Sequence, residues 1–336
     1  MKLLVLFITL LLGIINVANH PNPHNNVPAK IEFTNTDTLP ATSSPIDTAR
    51  LVVLLESLAA KEKNPLLKRH FESVVLMLND TTHPFSFTEK LIVSATGALD
   101  FFQHDGAKWE TYADGPRPLM MAFKSVTDHK NSFYWLFLPK QFDATKKDYP
   151  FYMELHGSGG GYNNNPRVML LDPLQPAIAG VTQQGYRKEG LFILPWGRGD
   201  KGYRDIAETD IFECLKDFDQ QFKTDAKRQY LYGFSMGGSG TFHIAQKTME
   251  RWAALGMYSA AFRSVTQEEA NKFKGMPIWM AWGETESWAI NDRLLKDYFI
   301  NAGIEVNWRE VKGIGHNYLG EYQEDLMNWL LKQVKK

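Results

Sequence analysis

The stretch Tyr232-Gly233-Phe234-Ser235-Met236-Gly237-Gly238 sets one serine between glycines, where a run that reads as strand gives way to one that reads as helix. Ahead of it, Lys227-Arg228-Gln229-Tyr230-Leu231-Tyr232 is short, aromatic and aliphatic; behind it, Gly240-Thr241-Phe242-His243-Ile244-Ala245 starts a helix. A serine on so sharp a strand-to-helix turn is a nucleophile elbow. The turn strains its backbone and exposes its hydroxyl, and Gly233 and Gly237 are small enough for strand and helix to pass closely. The pattern predicts Ser235 as a nucleophile, against the bland alternative of an ordinary serine in a glycine-rich turn.

An activated serine needs a base, and triads built on such an elbow run in the order nucleophile, acid, histidine. The one histidine beyond His243 is His316, in Val311-Lys312-Gly313-Ile314-Gly315-His316-Asn317, between a strand expected over Glu305–Val311 and a last helix over Leu319–Val334. Its imidazole, with an ordinary pKa of about 6.5, can take the serine proton and return it near neutral pH. His243, on the helix after the elbow, reads as a packed or capped helix residue. The acid is open among three. Glu284, Glu286 and Asp292 all follow the strand Pro277–Trp282 in the loop that enters a helix expected over Arg293–Ala302, and Asp292 also reads as a helix cap. Upstream, the strand Pro150–Leu155 runs into His156-Gly157-Ser158-Gly159-Gly160-Gly161. A tetrahedral oxyanion needs two backbone N–H donors; Met236 supplies one and Ser158 or Gly159 the other. The loop lacks the Lys-Ser/Thr and the G-x-G-x-x-G helix entry of a phosphate cradle.

Outward from these loops the chain alternates strand and helix: strands over Tyr149–Leu155, Gly190–Leu194, Gln229–Gly233, Ala253–Tyr258, Pro277–Trp282 and Glu305–Val311, preceded by a hairpin within Met120–Pro139. That alternation predicts an α/β fold: a mostly parallel sheet with helices on both faces and its site beyond the carboxyl ends of the strands. Trp196 and Trp288, near strand ends, are candidate substrate-binding residues, with Tyr203 and Trp282 as further aromatics that line a pocket or pack the core. Arg198-Gly199-Asp200 spells an adhesion tripeptide but follows a strand on the site's side, and reads as a loop shaping the pocket.

The organisation read from the chain is a signal peptide over 1–18, a flexible linker over 19–44, a mainly helical accessory region over 45–114 and a catalytic domain over 115–336. Leu3 to Ile15 is apolar and too short to span a bilayer with comfort, so export is expected, secreted or periplasmic, with no integral membrane span after cleavage. Over 46–78, leucines, valines and Phe71 fit one or two amphipathic helices broken near Asn64-Pro65. With 336 residues, 44% hydrophobic, the chain can bury one large core; a net charge of −1 argues against a nucleic-acid partner. The single cysteine, Cys214, permits no internal disulfide. His20 and His24 are too sparse for a metal site, and neither metal nor cofactor is implied. The sequence carries no signal for an oligomeric state.

Leu155-His156-Gly157-Ser158-Gly159-Gly160, Gly197-Arg198-Gly199-Asp200 and Tyr230 through Thr241, in that order and with the late Gly315-His316, resemble the α/β-hydrolase superfamily. More narrowly they look like the secreted esterases related to prolyl oligopeptidase and to feruloyl, acetylxylan and polyhydroxybutyrate esterases, over roughly residue 115 to the C-terminus. Phe234 stands where many of those relatives have histidine. They usually carry aspartate three residues beyond the glycine of the acid loop, a place held here by Glu286, which the resemblance makes the first choice for the acid. It implies a serine esterase working through an acyl-enzyme, with a small-molecule or polysaccharide ester as substrate. The alternatives are a peptidase of the prolyl-oligopeptidase type, for which the region before the domain is too short to form a propeller, and a non-catalytic binding protein of the same fold.

Overall fold

The computed structural model describes residues 47–82, 92, 95, 119–139, 141–158, 190–317 and 320–336, all within the compact unit Ile46–Lys336. The expected signal peptide and linker lie outside the described residues, as do Gly159 and nearly all of 83–118. No described helix is long and apolar enough to cross a membrane.

Two helices come first, α1 (Thr48–Lys61) and α2 (Pro65–Leu78). The break between them is a helix start. Asn64 Oδ1 accepts the backbone N–H of Leu66 at 3.0 Å and of Leu67 at 3.3 Å, and Pro65 stands at the first helical position, where its missing N–H costs nothing. Eight strands follow: β1 (Leu119–Lys124), β2 (Asn131–Phe137), β3 (Phe151–Leu155), β4 (Leu191–Pro195), β5 (Gln229–Phe234), β6 (Ala254–Tyr258), β7 (Ile278–Gly283) and β8 (Val306–Val311). They form one sheet in the order β1-β2-β4-β3-β5-β6-β7-β8. β1 to β2 and β2 to β4 pair antiparallel; every pair from β4 through β8 is parallel. Every residue of β3, β4, β6 and β7 is buried, so both faces of the central sheet are covered, which is why these strands read as apolar runs without alternation. Between and after them come α3 (Ile206–Gln221), α4 (Met236–Thr248), α5 (Gln267–Asn271), α6 (Ala289–Asn301) and α7 (Gly320–Leu330).

β1 lies at the edge of the sheet, and α2 covers it. The Met120 N–H donates to His70 Nδ1 at 2.8 Å, the Ala122 N–H donates to Ser73 Oγ at 2.9 Å, and Arg69 Nη2 donates to the Ala122 carbonyl at 3.1 Å. Alternate outward groups of the edge strand are thereby satisfied by side chains of one helix, and the edge is closed to other chains. Arg69 also grips both carboxylate oxygens of Asp217 on α3, at 2.9 and 2.8 Å. The loops after β3, β4, β5, β7 and β8 all leave the carboxyl ends of parallel strands, so they gather at one end of the sheet.

One expected boundary is wrong by a turn. The helix expected over Arg293–Ala302 begins at Ala289 with Trp288 as its N-cap, so Asp292 sits buried inside the first turn and caps nothing. The sequence Trp288-Ala289-Ile290-Asn291 holds no proline or glycine to stop the helix extending backward.

Candidate active site

Ser235 is the residue between β5 and α4, with φ 56° and ψ −117°, a conformation that L-residues rarely hold. The neighbouring glycines explain how it is kept there. A Cβ on Gly233 would lie 2.4 Å from the Gly237 backbone, and one on Gly237 would lie 1.8 Å from the Leu155 carbonyl oxygen. Strand, helix and the end of β3 are in backbone contact, which only glycine permits.

Ser235 Oγ stands 2.8 Å from His316 Nε2, and His316 Nδ1 stands 2.8 Å from Glu286 Oε2. Residues 81 and 30 positions apart thus make one line, Ser235–His316–Glu286. The Glu286 side chain is fully buried, while that of His316 is 29% exposed and reaches the open cleft. Phe234 stacks on the His316 ring at 5.3 Å and Trp288 meets it edge-on at 5.0 Å, so the imidazole is held between two aromatic side chains.

The three candidate acids have three different positions. Glu286 faces His316. Glu284 Oε2 accepts the Gly313 N–H at 2.8 Å, and together with the bonds Glu284 N–H to Val311 O and Thr285 N–H to Ile314 O it ties the acid loop to the histidine loop. Asp292 lies behind Glu286, 1% exposed and with its carboxyl against that of Glu286. Burial first, and then the Glu286 charge, push its carboxyl well above the usual carboxylate range.

Met236 opens α4, so its N–H is among the unpaired donors at the positive end of a helix directly after Ser235. Ser158 lines the same cleft, its Oγ 3.3 Å from the Met236 sulfur; Gly159, the other candidate for the second donor, is outside the described residues. The loop carrying Ser158 is fastened twice. His156 Nε2 stands 2.9 Å from the Trp196 carbonyl, and the Tyr203 hydroxyl donates to the His156 carbonyl at 2.9 Å.

The cleft measures about 670 Å³ and its described lining includes Ser158, Arg204, Ser235, Met236, Trp288 and His316. Trp288 is therefore where the sequence placed it. Trp196 is not: it is 6% exposed, stacked on Phe133 at 5.7 Å with an interplanar angle of 10°, and outside the described lining. Its backbone carbonyl serves the site; its indole packs the core. Tyr203 and Trp282 are buried too. The side chain of Arg198 is 7% exposed and bridges Asp210 at 2.8 Å and Asp128 at 3.1 Å, which anchors the loop after β4, while Asp200 of the same tripeptide lines the cleft. His243 lines the cleft but pairs with Glu208 and stands 3.1 Å from Arg204 Nη1. What sequence reasoning missed was the clamp role of Tyr203, marked only by its aromatic character, and the contact of Asp292 with Glu286. Among the described residues no group of three or more His, Cys, Asp or Glu side chains is placed to hold a metal ion.

A scan against protein-family models and a search of the curated proteins find no match. Solved structures do match. A thermostable esterase shares 18% identity at a TM-score of 0.50, over 65% of this chain and 63% of that one. A ferulic acid esterase shares 17% at 0.52, over 64% of this chain and 97% of that one. An S-formylglutathione hydrolase from Staphylococcus aureus shares 15% at 0.51, over 64% and 96%. The likeness is one of fold, and it extends over the eight-stranded, mostly parallel sheet that carries the elbow: this chain has the α/β-hydrolase fold.

Proposed function

We propose that this chain is an exported serine carboxylic-ester hydrolase that works through an acyl-enzyme on short acyl or phenolic esters of polysaccharides. The observation that carries the reading is the line of two 2.8 Å contacts, Ser235 Oγ to His316 Nε2 and His316 Nδ1 to Glu286 Oε2, ending on a serine held at positive φ. In the reaction, Ser235 Oγ attacks the ester carbonyl carbon as its proton passes to His316 Nε2. The imidazolium is stabilised by Glu286, the oxyanion by the Met236 N–H and a donor of the Ser158/Gly159 loop. A preorganised donor of this kind is worth about 3–4 kcal/mol of transition-state stabilisation. Collapse of the tetrahedral intermediate expels the alcohol, which takes the proton from His316, and leaves the acyl group on Ser235. Water then attacks the acyl carbon with His316 as base, releasing the acid and restoring the serine.

Supporting the substrate class are the partly exposed Trp288 beside His316, a ring suited to stack on a sugar or phenolic face, and the fold likeness to a protein described as a ferulic acid esterase. Supporting export is the apolar run Leu3 to Ile15 after Met1-Lys2. The test is a panel of nitrophenyl acetate, nitrophenyl butyrate, methyl ferulate, acetylated xylan and a proline anilide. Ester cleavage led by acetyl or feruloyl substrates is expected. Faster cleavage of the anilide than of every ester makes the chain a peptidase instead.

A further inference from the structure

The acid of the Ser235–His316 line is a glutamate with a second buried carboxyl at its back. Glu286 uses Oε2 on His316, and its Oε1 is buried with no hydrogen-bond donor facing it. Asp292 Oδ2 is in the same condition, although the two carboxyls lie against each other and Asp292 also receives the Ala260 backbone N–H. Two ionised carboxylates offer four acceptors and no donor, so this pair is satisfied only if one of them carries a proton. The charge is needed at Glu286, which faces the imidazole. Asp292, 1% exposed, has Glu286 on one side, Ala260 on another and Arg293 as its chain neighbour. The Arg293 charge favours the ionised form of Asp292, but its guanidinium is 41% exposed and hydrogen-bonds both oxygens of Glu310 instead of Asp292.

We propose that Asp292 is a positioning residue: its neutral carboxyl donates a hydrogen bond from Oδ2 to Glu286 Oε1, which holds the glutamate so that Oε2 stays turned on His316 Nδ1. This rests on the reading of Ser235, His316 and Glu286 as a catalytic triad. A glutamate has one more rotatable bond than an aspartate, and fixing it at both oxygens removes the freedom that would let it swing away from the ring. The two carboxyls form one unit with one proton and one negative charge. Loss of the Asp292 proton as pH rises sets two buried charges against each other.

The experiment compares Asp292→Leu, Asp292→Asn and Glu286→Gln by kcat and KM for nitrophenyl acetate across pH, and by the low-field proton resonance of the His316 Nδ1–H, which needs no substrate. Asp292→Leu is expected to lower kcat about tenfold or more with little change in KM, and to broaden or shift the resonance. Asp292→Asn is expected to rescue kcat to within about threefold, because its amide N–H donates to Glu286 while its oxygen accepts from Ala260, and to remove any fall of the profile with rising pH that comes from the Asp292 proton, because it has none to lose. An Asp292→Asn variant as inactive as Glu286→Gln contradicts the proposal and makes Asp292 an ionised acid. Unchanged pH profile and resonance in Asp292→Asn also overturn it, even if Asp292→Leu fails to fold. If the wild type cleaves no ester, the functional reading fails while the resonance still tests the hydrogen bond.

Discussion

At Gly237 the elbow meets the strand beside it. A methyl group there would sit 1.8 Å from the Leu155 carbonyl oxygen and 2.8 Å from that of His156, both backbone atoms that no rotamer change can move. Gly237→Ala therefore forces α4 away from β3, and with it the Met236 N–H away from the loop that carries Ser158. The expected result is a loss of at least about 3 kcal/mol in unfolding free energy, more than an ordinary overpacked core site, together with a fall in kcat. Urea unfolding and ester turnover check it; an alanine variant with unchanged midpoint and turnover contradicts the close approach. Ser235 and His316 were legible in the sequence because the elbow and the late Gly-His each carry a local signature. Asp292 was not. Its meaning depends on a carboxyl six residues back being folded against it, which no periodicity records.

Among the elements, α2 covers the sheet edge through a histidine that must stay neutral. His70 Nδ1 accepts the Met120 N–H, and burial holds its pKa down to about 4 against an ordinary 6.5. The folded protein thus binds fewer protons than the unfolded chain between those values, so the stabilising contact is intact above about pH 6.5 and is lost as pH falls toward 4. His70→Asn places an amide oxygen near Nδ1 and cannot become charged. It is expected to flatten the decline in thermal midpoint between pH 6.5 and 4 relative to wild type, as scanning calorimetry at stepped pH would read. An unaltered slope means that His70 does not titrate with unfolding. The spacing of Leu51, Leu54, Leu55, Leu58, Leu66, Phe71, Val75 and Leu78 made the two helices legible, although α2 buries Leu67 and Val74 more deeply than Leu66 and Val75. Their task was not, since the groups that meet β1 are the polar His70 and Ser73, about 50 residues away in sequence.

Across the whole molecule, the parallel strands β3 to β8 bring six loops to one end of the sheet; the loop after β6 lines the cleft with Ala261 to Ser264, and the other five carry its working parts. β3 leads to Ser158, β4 to the carbonyl that holds His156, β5 to Ser235, β7 to Glu286 and β8 to His316. The alternation of apolar strands with helices was enough to infer this sheet, and the α/β-hydrolase likeness agrees with it. Trp196 marks where inference from position stops. Strand ends are read from sequence, but whether an indole there turns to the cleft or to Phe133 is decided by packing from a distant strand. With Ser235 read as the nucleophile, covalent labelling by a fluorophosphonate is the sharpest check. Wild-type protein should take up one equivalent, resolved by intact-mass measurement, and Ser235→Ala should take up none while remaining folded. Labelling of Ser235→Ala to the wild-type extent would place the nucleophile elsewhere and contradict the account.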